Sequence, residues 1–494
     1  MLNRFRFPIL MKVDKDLIEW GLFIQMKMEP ELQTSTGSIR TGGNRGLLPA
    51  LYQTVWRWHF YAGIIFAPFL ILLAFSGSMY LFKPQIEGYL YKDLLTVREV
   101  GASRLSPDQL SAAVKQQHPG LSIQSITLPD DAKSTVTFSV MNEGAQAVLY
   151  ADPYDGKVYG MMNAEKTFSS FFKKMHSQLL LSGTLPNRLV EMAACWGIVL
   201  TVTGLYLWWP RGRFSIWGTV LPRLGKRGSR PFWRDLHAVP AFWLSLFILI
   251  LIATGLPWSG VLGGQIDRAA NATNTNTPPY AYLFSGQPES ITVAKDIADN
   301  IPWAAENTPV PNSISGGYVR LSMNEIAAIA ERQHVLKPYT ITMPRGDSGV
   351  YSVSTDHVKP GKEVTLHVDP YSGAVLTDVR YQDFGVMAKL ITLGIAFHEG
   401  RLFGLANQII GLVTCLGLVL ISAGSYVMWR KRKPSGTLGA PRKPKDKRVM
   451  IGVLAIMAVL GILMPLVGLS ILAILIVDLV LISRIPALRR WLSS

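Results

Sequence analysis

The stretch WRWHFYAGIIFAPFLILLAFSGSMYLF, Trp56–Phe82, is an almost uninterrupted apolar run with a histidine, His59, near its start. About 20 apolar residues are enough for a helix to cross the hydrocarbon core of a bilayer. The stretch therefore predicts a transmembrane helix. An ionisable side chain next to lipid is costly, so His59 requires either an interfacial position or a specific partner.

Further apolar regions occur near 189–209, 238–262, 403–429 and 449–483 of the 494-residue chain. The last region is too long for one ordinary helix, and Pro465 and Gly468 interrupt it, which predicts two helices joined by a tight turn. The count is then six spans. In chain order we predict a disordered cytoplasmic N-terminus (1–50), TM1 (51–82), a periplasmic domain (83–187), TM2 (188–210), a basic cytoplasmic loop (211–235), TM3 (236–263), a second periplasmic domain (264–400), TM4 (401–429), a basic cytoplasmic loop (430–448), a TM5–TM6 hairpin (449–483) and a cytoplasmic tail (484–494).

The net charge of +16 is explained by topology and does not require a nucleic-acid partner. Basic residues crowd into 211–234, 430–448 and 484–490, whereas the long segments 83–187 and 264–400 mix both signs. Cytoplasmic loops of membrane proteins carry an excess of Lys and Arg. With six spans every basic segment lies on the cytoplasmic side. This pattern predicts a multi-pass membrane protein with both termini in the cytoplasm.

The N-terminus has no short apolar core followed by a small-residue cleavage site, so we expect no removable signal peptide. TM1 would serve as an uncleaved anchor, and Met26 and Met28 are alternative starts. The two cysteines, Cys195 and Cys415, fall inside predicted spans. With only these two cysteines the chain has no disulfide framework, and without a C-x-x-C or C-x-x-C-H motif it has neither a cysteine metal site of that kind nor a site for covalent haem attachment.

The chain is an internal tandem duplication. LSPDQLSAAVKQQHPGLSIQSITLP (105–129) aligns with LSMNEIAAIAERQHVLKPYTITMP (321–344), and LYADPYDGKV (149–158) aligns with LHVDPYSGAV (366–375). The second span aligns with the fourth, with Asn, Cys, Gly, Tyr and Trp in register. More weakly, the first span aligns with the third, and in this alignment Ser76-Gly77 corresponds to Thr254-Gly255. Each half is therefore a span, an extracytoplasmic domain and a second span.

Each extracytoplasmic segment has the pattern of a small α+β unit. Ser106 and Ser322 are expected to cap an amphipathic helix, and alternating strand segments follow. The D-P-Y-x-G step has the residues of a tight turn between the last two strands. A helix followed by strands with this D-P-x-x-G-x-V signature resembles a PepSY domain. Two such domains between paired spans, with the W-W-P-R sequence of 208–211, resemble the PepSY-associated transmembrane family.

The duplication sorts the histidines into pairs. His59 and His237 are equivalent, each near the cytoplasmic start of an odd-numbered span; His176 and His398 are equivalent near the periplasmic side. Repeats related by an axis along the membrane normal place equivalent residues at the same depth. We therefore expect His59 to face His237 and His176 to face His398.

Facing imidazoles inside a helical bundle suit haem, since the porphyrin fills four positions of the iron and leaves two axial ones. The pattern thus predicts two b-type haems, held by His59 with His237 and by His176 with His398, although interfacial anchoring explains any one histidine alone. The resemblance implies the same, because the family includes iron-regulated inner-membrane proteins and haem-containing ferrisiderophore reductases. It implies a ferric siderophore as acceptor and the bacterial inner membrane as the location of the protein. The fold class expected is a polytopic α-helical membrane protein with about six spans and two PepSY-like periplasmic domains.

Other candidates have ordinary explanations beside functional ones. His118 and His334 are expected on the surface, and His357 and His367 lie among strands without counterparts. Cytoplasmic arginines suit haem propionates or positive-inside anchoring equally well: Arg57, Arg211, Arg213 and Arg234. The intramembrane acids Glu191 and Asp478 leave a proton or transport role open.

The chain lacks a G-x-G-x-x-G turn, a P-loop and a nucleophile elbow, so it carries no nicotinamide or flavin domain of its own. A reductase of this kind needs a separate cytoplasmic or membrane electron donor. Two alternatives remain: a non-redox PepSY module that regulates a peptidase, and a small-molecule transporter. The acceptor, the donor and the oligomeric state do not follow from the sequence.

Overall fold

The computed structural model describes residues 47–477 except 143, 213, 226, 277–291, 314–318, 356–359 and 442–446, with short pieces beyond 477 at 480, 484–486 and 491–492. Residues 1–46, Arg213, His357 and Asp478 lie outside the described residues. The helices are α1 (Leu47–Leu81), α2 (Lys83–Leu90), α3 (Lys92–Leu95), α4 (Pro107–Gln117), α5 (Phe168–Gln178), α6 (Thr184–Trp208), α7 (Arg230–Gly255), α8 (Leu262–Ala272), α9 (Ala294–Ile297), α10 (Met323–Arg332), α11 (Val386–His398), α12 (Leu405–Arg432), α13 (Lys447–Leu463) and α14 (Pro465–Val477).

Four helices of the described part are long and apolar enough to cross a membrane: Pro49–Leu81 of α1, α6, α7 continued to Trp258, and α12. Helices α13 and α14 have 17 and 13 residues, short of the roughly 20 that a span usually needs. The first of them ends at Leu463 and the second begins at Pro465, which has no N–H group to continue the preceding helix. The protein is therefore a membrane protein with four candidate spans and shorter apolar helices.

The described residues form two compact units. The first unit takes in the described residues of Met1–Leu70, Met192–Ser245 and Leu420–Ser494, and the second unit takes in those of Ile71–Glu191 and Leu246–Val419.

The α13–α14 hairpin belongs to the first unit and packs on α6. Trp196 of α6 stacks on Phe66 of α1 at 5.3 Å between ring centroids. Its Nε1 donates to Ser470 Oγ of α14 at 3.0 Å. Gly461 and Gly468 bring the two arms of the hairpin together, since a Cβ on Gly468 would lie 2.8 Å from the Cα of Gly461.

The second unit contains one eight-stranded antiparallel sheet to which both repeats contribute. Its strands are β1 (Ser122–Leu128), β2 (Val136–Asn142), β3 (Ala145–Ala151), β4 (Val158–Asn163), β5 (Tyr339–Thr342), β6 (Tyr351–Thr355), β7 (Val364–Val368) and β8 (Val375–Arg380). The order is β4-β3-β2-β1-β5-β6-β7-β8. The repeats meet where β1 pairs with β5, with Ile126 opposite Ile341.

The main core lies between one face of this sheet and the helices α4 and α10. Leu110 and Val114 of α4 and Ile326 of α10 are almost fully buried against Phe138 and Leu366 of the strands. Burial of each such side chain stabilises the fold by about 1.5–3 kcal/mol. The two equivalent helices therefore share a single apolar core.

The predicted helix starts and turns are confirmed. Ser106 and Ser322 each accept from the backbone N–H three residues on, within a full capping box. Asp108 of α4 also accepts from the N–H groups of Met323 and Asn324 at the start of α10. In each D-P-Y-x-G turn the glycine has positive φ, as expected of a residue without Cβ.

Candidate haem-binding histidine pairs

His59 of α1 and His237 of α7 face each other in the first unit. Their ring centroids are 6.3 Å apart and the rings are inclined by 78°. His59 Nδ1 lies 2.9 Å from Thr203 Oγ1 on α6, and His237 Nδ1 lies 2.9 Å from the carbonyl oxygen of Ile421 on α12. Each ring is thus fixed by a neighbouring helix of its own repeat.

His176 of α5 and His398 of α11 face each other in the second unit, with ring centroids 6.1 Å apart and an inclination of 68°. His176 Nδ1 lies 3.0 Å from the carbonyl oxygen of Leu73 and 3.1 Å from Ser76 Oγ, both on α1. This pair therefore repeats the arrangement of His59 and His237, with rings of similar separation and inclination.

His398 is held in the same way by α7. Its Nδ1 lies 2.8 Å from the carbonyl oxygen of Leu251 and 3.2 Å from Thr254 Oγ1. Trp258 packs edge-on against it, with ring centroids 5.9 Å apart. The aligned dipeptides Ser76-Gly77 and Thr254-Gly255 therefore hold equivalent histidines.

The hydrogen bonds define the tautomer of all four rings. A carbonyl oxygen only accepts, so Nδ1 must donate in three of the rings. Thr203 Oγ1 gives its own hydrogen to the carbonyl oxygen of Val199 at 2.6 Å and so accepts from His59. With hydrogen on Nδ1, the lone pair of each imidazole is on Nε2, which is the arrangement that metal-binding histidines adopt. Among the described residues no hydrogen-bond partner occupies any of these four Nε2 atoms.

Each histidine packs against a helical glycine. A Cβ at three of these glycines would press on the imidazole, whereas a Cβ at Gly424 would make only an ordinary contact with His237. The distance from an added Cβ to the nearest histidine atom is 2.9 Å for Gly255 (His398 Cε1), 3.2 Å for Gly204 (His59 Cε1), 3.3 Å for Gly77 (His176 Cε1) and 3.6 Å for Gly424 (His237 Cβ). Glycine therefore allows each ring to lie close to the neighbouring helix.

The spacing of the rings would allow both imidazoles of a pair to hold one iron. Metal–imidazole bonds are about 2.0–2.1 Å, and the ring centre lies about 1.1 Å beyond the bound nitrogen, so two opposed rings have centroids about 6.3 Å apart. The observed values are 6.3 and 6.1 Å. Among the described residues, no group of three or more His, Cys, Asp or Glu side chains suits a bare ion. Paired histidines suit haem better, since the macrocycle brings the other four ligands.

The arginines considered for propionates already contact protein groups. Arg57 is buried and donates to the carbonyl oxygen of Pro441 and to Tyr61 Oη. Arg211 lies 4.0 Å from the ring centroid of Tyr52. Arg234 forms an ion pair with the buried Asp235, which Arg223 also contacts. These contacts give the arginines a structural role in the first unit.

Glu191 caps a helix. Its carboxylate is buried and accepts from the N–H groups of Val261 and Leu262, at 2.9 and 2.8 Å, where α8 begins. Arg188 lies 3.7 Å away. A carboxylate at a helix N-terminus satisfies donors that the helix itself leaves free. These contacts explain structurally why position 191 carries a carboxylate, for which the sequence alone had left a transport role open.

We expect Glu191→Ala to lower the free energy of unfolding by about 2 kcal/mol, because two N–H groups at the start of α8, one of them buried, lose their acceptor. Thermal unfolding of the detergent-solubilised protein measures this. Glu165→Ala is the matched control: its carboxylate is exposed and pairs with the exposed Lys174, so little change is expected. Equal stability of the two variants would contradict the capping role.

The remaining described histidines are not paired. His118 and His334 are exposed at the ends of α4 and α10, as predicted. His367 is fully buried in β7, where its Nδ1 lies 2.9 Å from Ser352 Oγ and its Nε2 has no partner among the described residues. Burial lowers the pKa of His367 to about 4.

His367 should make the second unit acid-sensitive. The unfolded histidine binds a proton near pH 6.5 and the folded one only near pH 4, so stability is complete above pH 6.5 and falls as the pH drops towards 4. The loss is at most about 3 kcal/mol. Unfolding of wild type, His367→Gln and the exposed control His334→Gln at pH 7 and 4.5 tests this. We expect the free energy of unfolding to fall less between pH 7 and pH 4.5 in His367→Gln than in the other two proteins. An equal fall in all three proteins would refute the role of His367.

The sequence identified the four histidines but not the residues that hold them. The hydroxyl-glycine dipeptides at 76–77 and 254–255 were visible as a repeat, and Thr203-Gly204 is a third instance. The fourth position is Ala423-Gly424, which has no hydroxyl, and there His237 uses the backbone of Ile421 instead. Recurrence of a small polar residue before glycine was the signal that would have found them.

The family model described as PepSY-associated TM region matches residues 56–432. No curated protein matches the chain. The matched range contains the duplicated helices, the whole sheet and all four paired histidines. Since the match extends over well more than half of the sequence, this protein belongs to the family of PepSY-associated transmembrane regions.

Proposed function

We propose that this protein is a di-haem b-type electron-transfer protein of the bacterial inner membrane. The observation that supports this most directly is the pair of histidine sites, each with facing rings about 6 Å apart and with Nδ1 hydrogen-bonded to an oxygen of a neighbouring helix. His59 with His237, and His176 with His398, would hold one haem each. Haem with two imidazole ligands passes single electrons and leaves no position open for oxygen.

The protein's own groups fix the ligands before anything binds. Carbonyl and hydroxyl oxygens orient each imidazole through Nδ1, and glycines on the neighbouring helices leave room for the rings. Such outer contacts set ligand orientation and basicity. Little rearrangement is then needed on haem binding, which also favours rapid electron exchange.

The acceptor proposed is ferric iron held in a siderophore in the periplasm. One electron converts Fe(III) to Fe(II), which hard oxygen ligands bind less tightly, so the iron can be released. The electron would come from a separate cytoplasmic or membrane donor. In the topology expected from the basic loops, His59 and His237 belong to the cytoplasmic side and His176 and His398 to the periplasmic side.

The test is a visible spectrum of the purified protein before and after dithionite, with haem quantified per chain. We expect two b-type haems. One haem would restrict the proposal to a single pair. None, in protein made with ample haem, would overturn it and favour a PepSY module that regulates a peptidase.

A further inference from the structure

Two neighbouring amide side chains lie near the start of α12, in the second unit. Asn407 and Gln408 are both buried, with exposed fractions of 1% and 6%. A buried amide is costly unless it is hydrogen-bonded, and each of these two donates to a different helix. Both of those helices belong to the pair formed by His176 and His398.

Asn407 caps the helix that carries His398. Its Nδ2 donates at 3.0 Å to the carbonyl oxygen of Phe397, the penultimate residue of α11. The last carbonyl groups of a helix have no partner within the helix, and this one otherwise accepts only from the N–H group of Gly400 among the described residues. Oδ1 of Asn407 is buried without a partner among the described residues. The bond to Phe397 is therefore the side-chain hydrogen bond that a substitution of Asn407 removes.

Gln408 caps the helix that holds His176. Its Nε2 donates at 2.8 Å to the carbonyl oxygen of Leu81, the last residue of α1. Its Oε1 accepts from Gln85 Nε2 at 2.7 Å. Helix α1 also supplies the oxygens that lie within hydrogen-bond distance of His176 Nδ1. Gln408 therefore ties the end of that helix to α12.

The first repeat has only half of this arrangement. Asn187 aligns with Asn407 and also donates to the carbonyl oxygen ten residues earlier, that of Ser177, but at 3.4 Å and from a partly buried position. Arg188 stands where the second repeat has Gln408, and it donates to Asn187 Oδ1 at 3.2 Å. The shorter and more deeply buried hydrogen bond is thus the one beside His398.

We propose that Asn407 and Gln408, together the amide clamp, are positioning residues that hold His398 opposite His176. Because they are adjacent on one helix, they fix the ends of α11 and α1 relative to each other. The separation of 6.1 Å between the ring centroids then depends on α12 as well as on the helices beside the rings. The role of the clamp in haem binding rests on the proposed function, in which these two histidines would hold one haem.

The clamp is tested first in full-length protein prepared without haem, in lipid nanodiscs. Asn407→Leu and Gln408→Leu remove the amide and keep a side chain of similar size. Hydrogen exchange should become at least about tenfold faster at the end of α11 (395–402) in Asn407→Leu, and at the end of α1 (78–84) in Gln408→Leu. Mass spectrometry of peptides from these segments measures the rates.

Two further variants serve for comparison. Thr414→Val is the matched control, because Thr414 is buried on the same helix but donates within that helix, to the carbonyl oxygen of Ile410 at 2.8 Å. It should leave exchange in both segments unchanged. Asn187→Leu should speed exchange at the end of α5 less than Asn407→Leu does at the end of α11, since its hydrogen bond is longer and less buried.

The positioning role is tested by the haem itself. The background is His59→Ala, which should keep only the haem of His176 and His398. In that background Asn407→Leu should weaken haem binding about tenfold, measured by titrating haem into haem-free protein. The electron paramagnetic resonance spectrum of the oxidised haem should shift, because its g-values depend on the relative orientation of the two imidazoles. Thr414→Val should change neither.

The outcomes separate the clamp from the proposed function. Unchanged hydrogen exchange in either amide variant would overturn the clamp. Faster exchange with unchanged haem affinity and an unchanged resonance spectrum would overturn the positioning role and leave two helix caps. A wild-type protein that binds no haem would refute the proposed function instead, and hydrogen exchange alone would then decide whether the clamp exists.

Discussion

Replacing His398 by alanine is expected to reduce bound haem from two per chain to one. His398 faces His176 with ring centroids 6.1 Å apart. Under the proposed function its loss would remove one of the two histidines that would hold the same haem. His176→Ala should give the same result. His59→Ala and His237→Ala should remove the other haem and spare this one. Even outer-shell changes at metal sites cost about 10–100-fold in affinity, and loss of a ligand should cost more. The measurement is haem per chain together with the dithionite-reduced spectrum.

The controls for this experiment are repeat-related histidines that the structure places elsewhere. His118→Ala and His334→Ala alter exposed residues at the ends of α4 and α10 and should keep both haems. The double variant His59→Ala with His398→Ala should bind none. Full haem content in His398→Ala would remove His398 from the ligand set. Loss of both haems in one single variant would mean that the two sites are not independent.

The duplication explains why the histidine pairs could be predicted. One histidine near the end of an apolar run is ambiguous, because interfacial anchoring accounts for it. Repetition of His59 as His237, and of His176 as His398, restricts which residues can face each other. The prediction needed no knowledge of backbone geometry, and the structure brings the members of each pair to about 6 Å.

The contacts made across the fold could not be predicted in the same way. Local patterns gave the capping residues Ser106 and Ser322 and the glycine turns. They gave no reason for β1 to pair with β5, since Ile126 and Ile341 are far apart in sequence. The function of Glu191 was hidden for the same reason: its hydrogen-bond partners are backbone groups near position 261, which no side-chain pattern reveals.

The glycines beside the histidines should show a graded effect when changed to alanine. A Cβ on Gly255 would lie 2.9 Å from His398 Cε1, closer than real contacts allow, so the imidazole must move. We expect Gly255→Ala to weaken binding of that haem at least about tenfold. Gly424→Ala, with its nearest contact at 3.6 Å to His237 Cβ, should have little effect. Gly204→Ala and Gly77→Ala should fall between them.

This order distinguishes crowding of the ring from a change in helix stability. Alanine favours a helix over glycine by roughly 0.5–1 kcal/mol, so each variant should make its own helix slightly more stable while haem binding weakens. A Cβ added at Gly63 in α1 would have no neighbouring heavy atom within 4 Å. Gly63→Ala therefore serves as the control for the effect on helix stability alone. Haem affinity is measured by titrating haem into protein prepared without it. Equal haem affinity of Gly255→Ala and Gly63→Ala would show that Gly255 does not position His398, and a larger effect of Gly424→Ala than of Gly255→Ala would contradict the crowding argument.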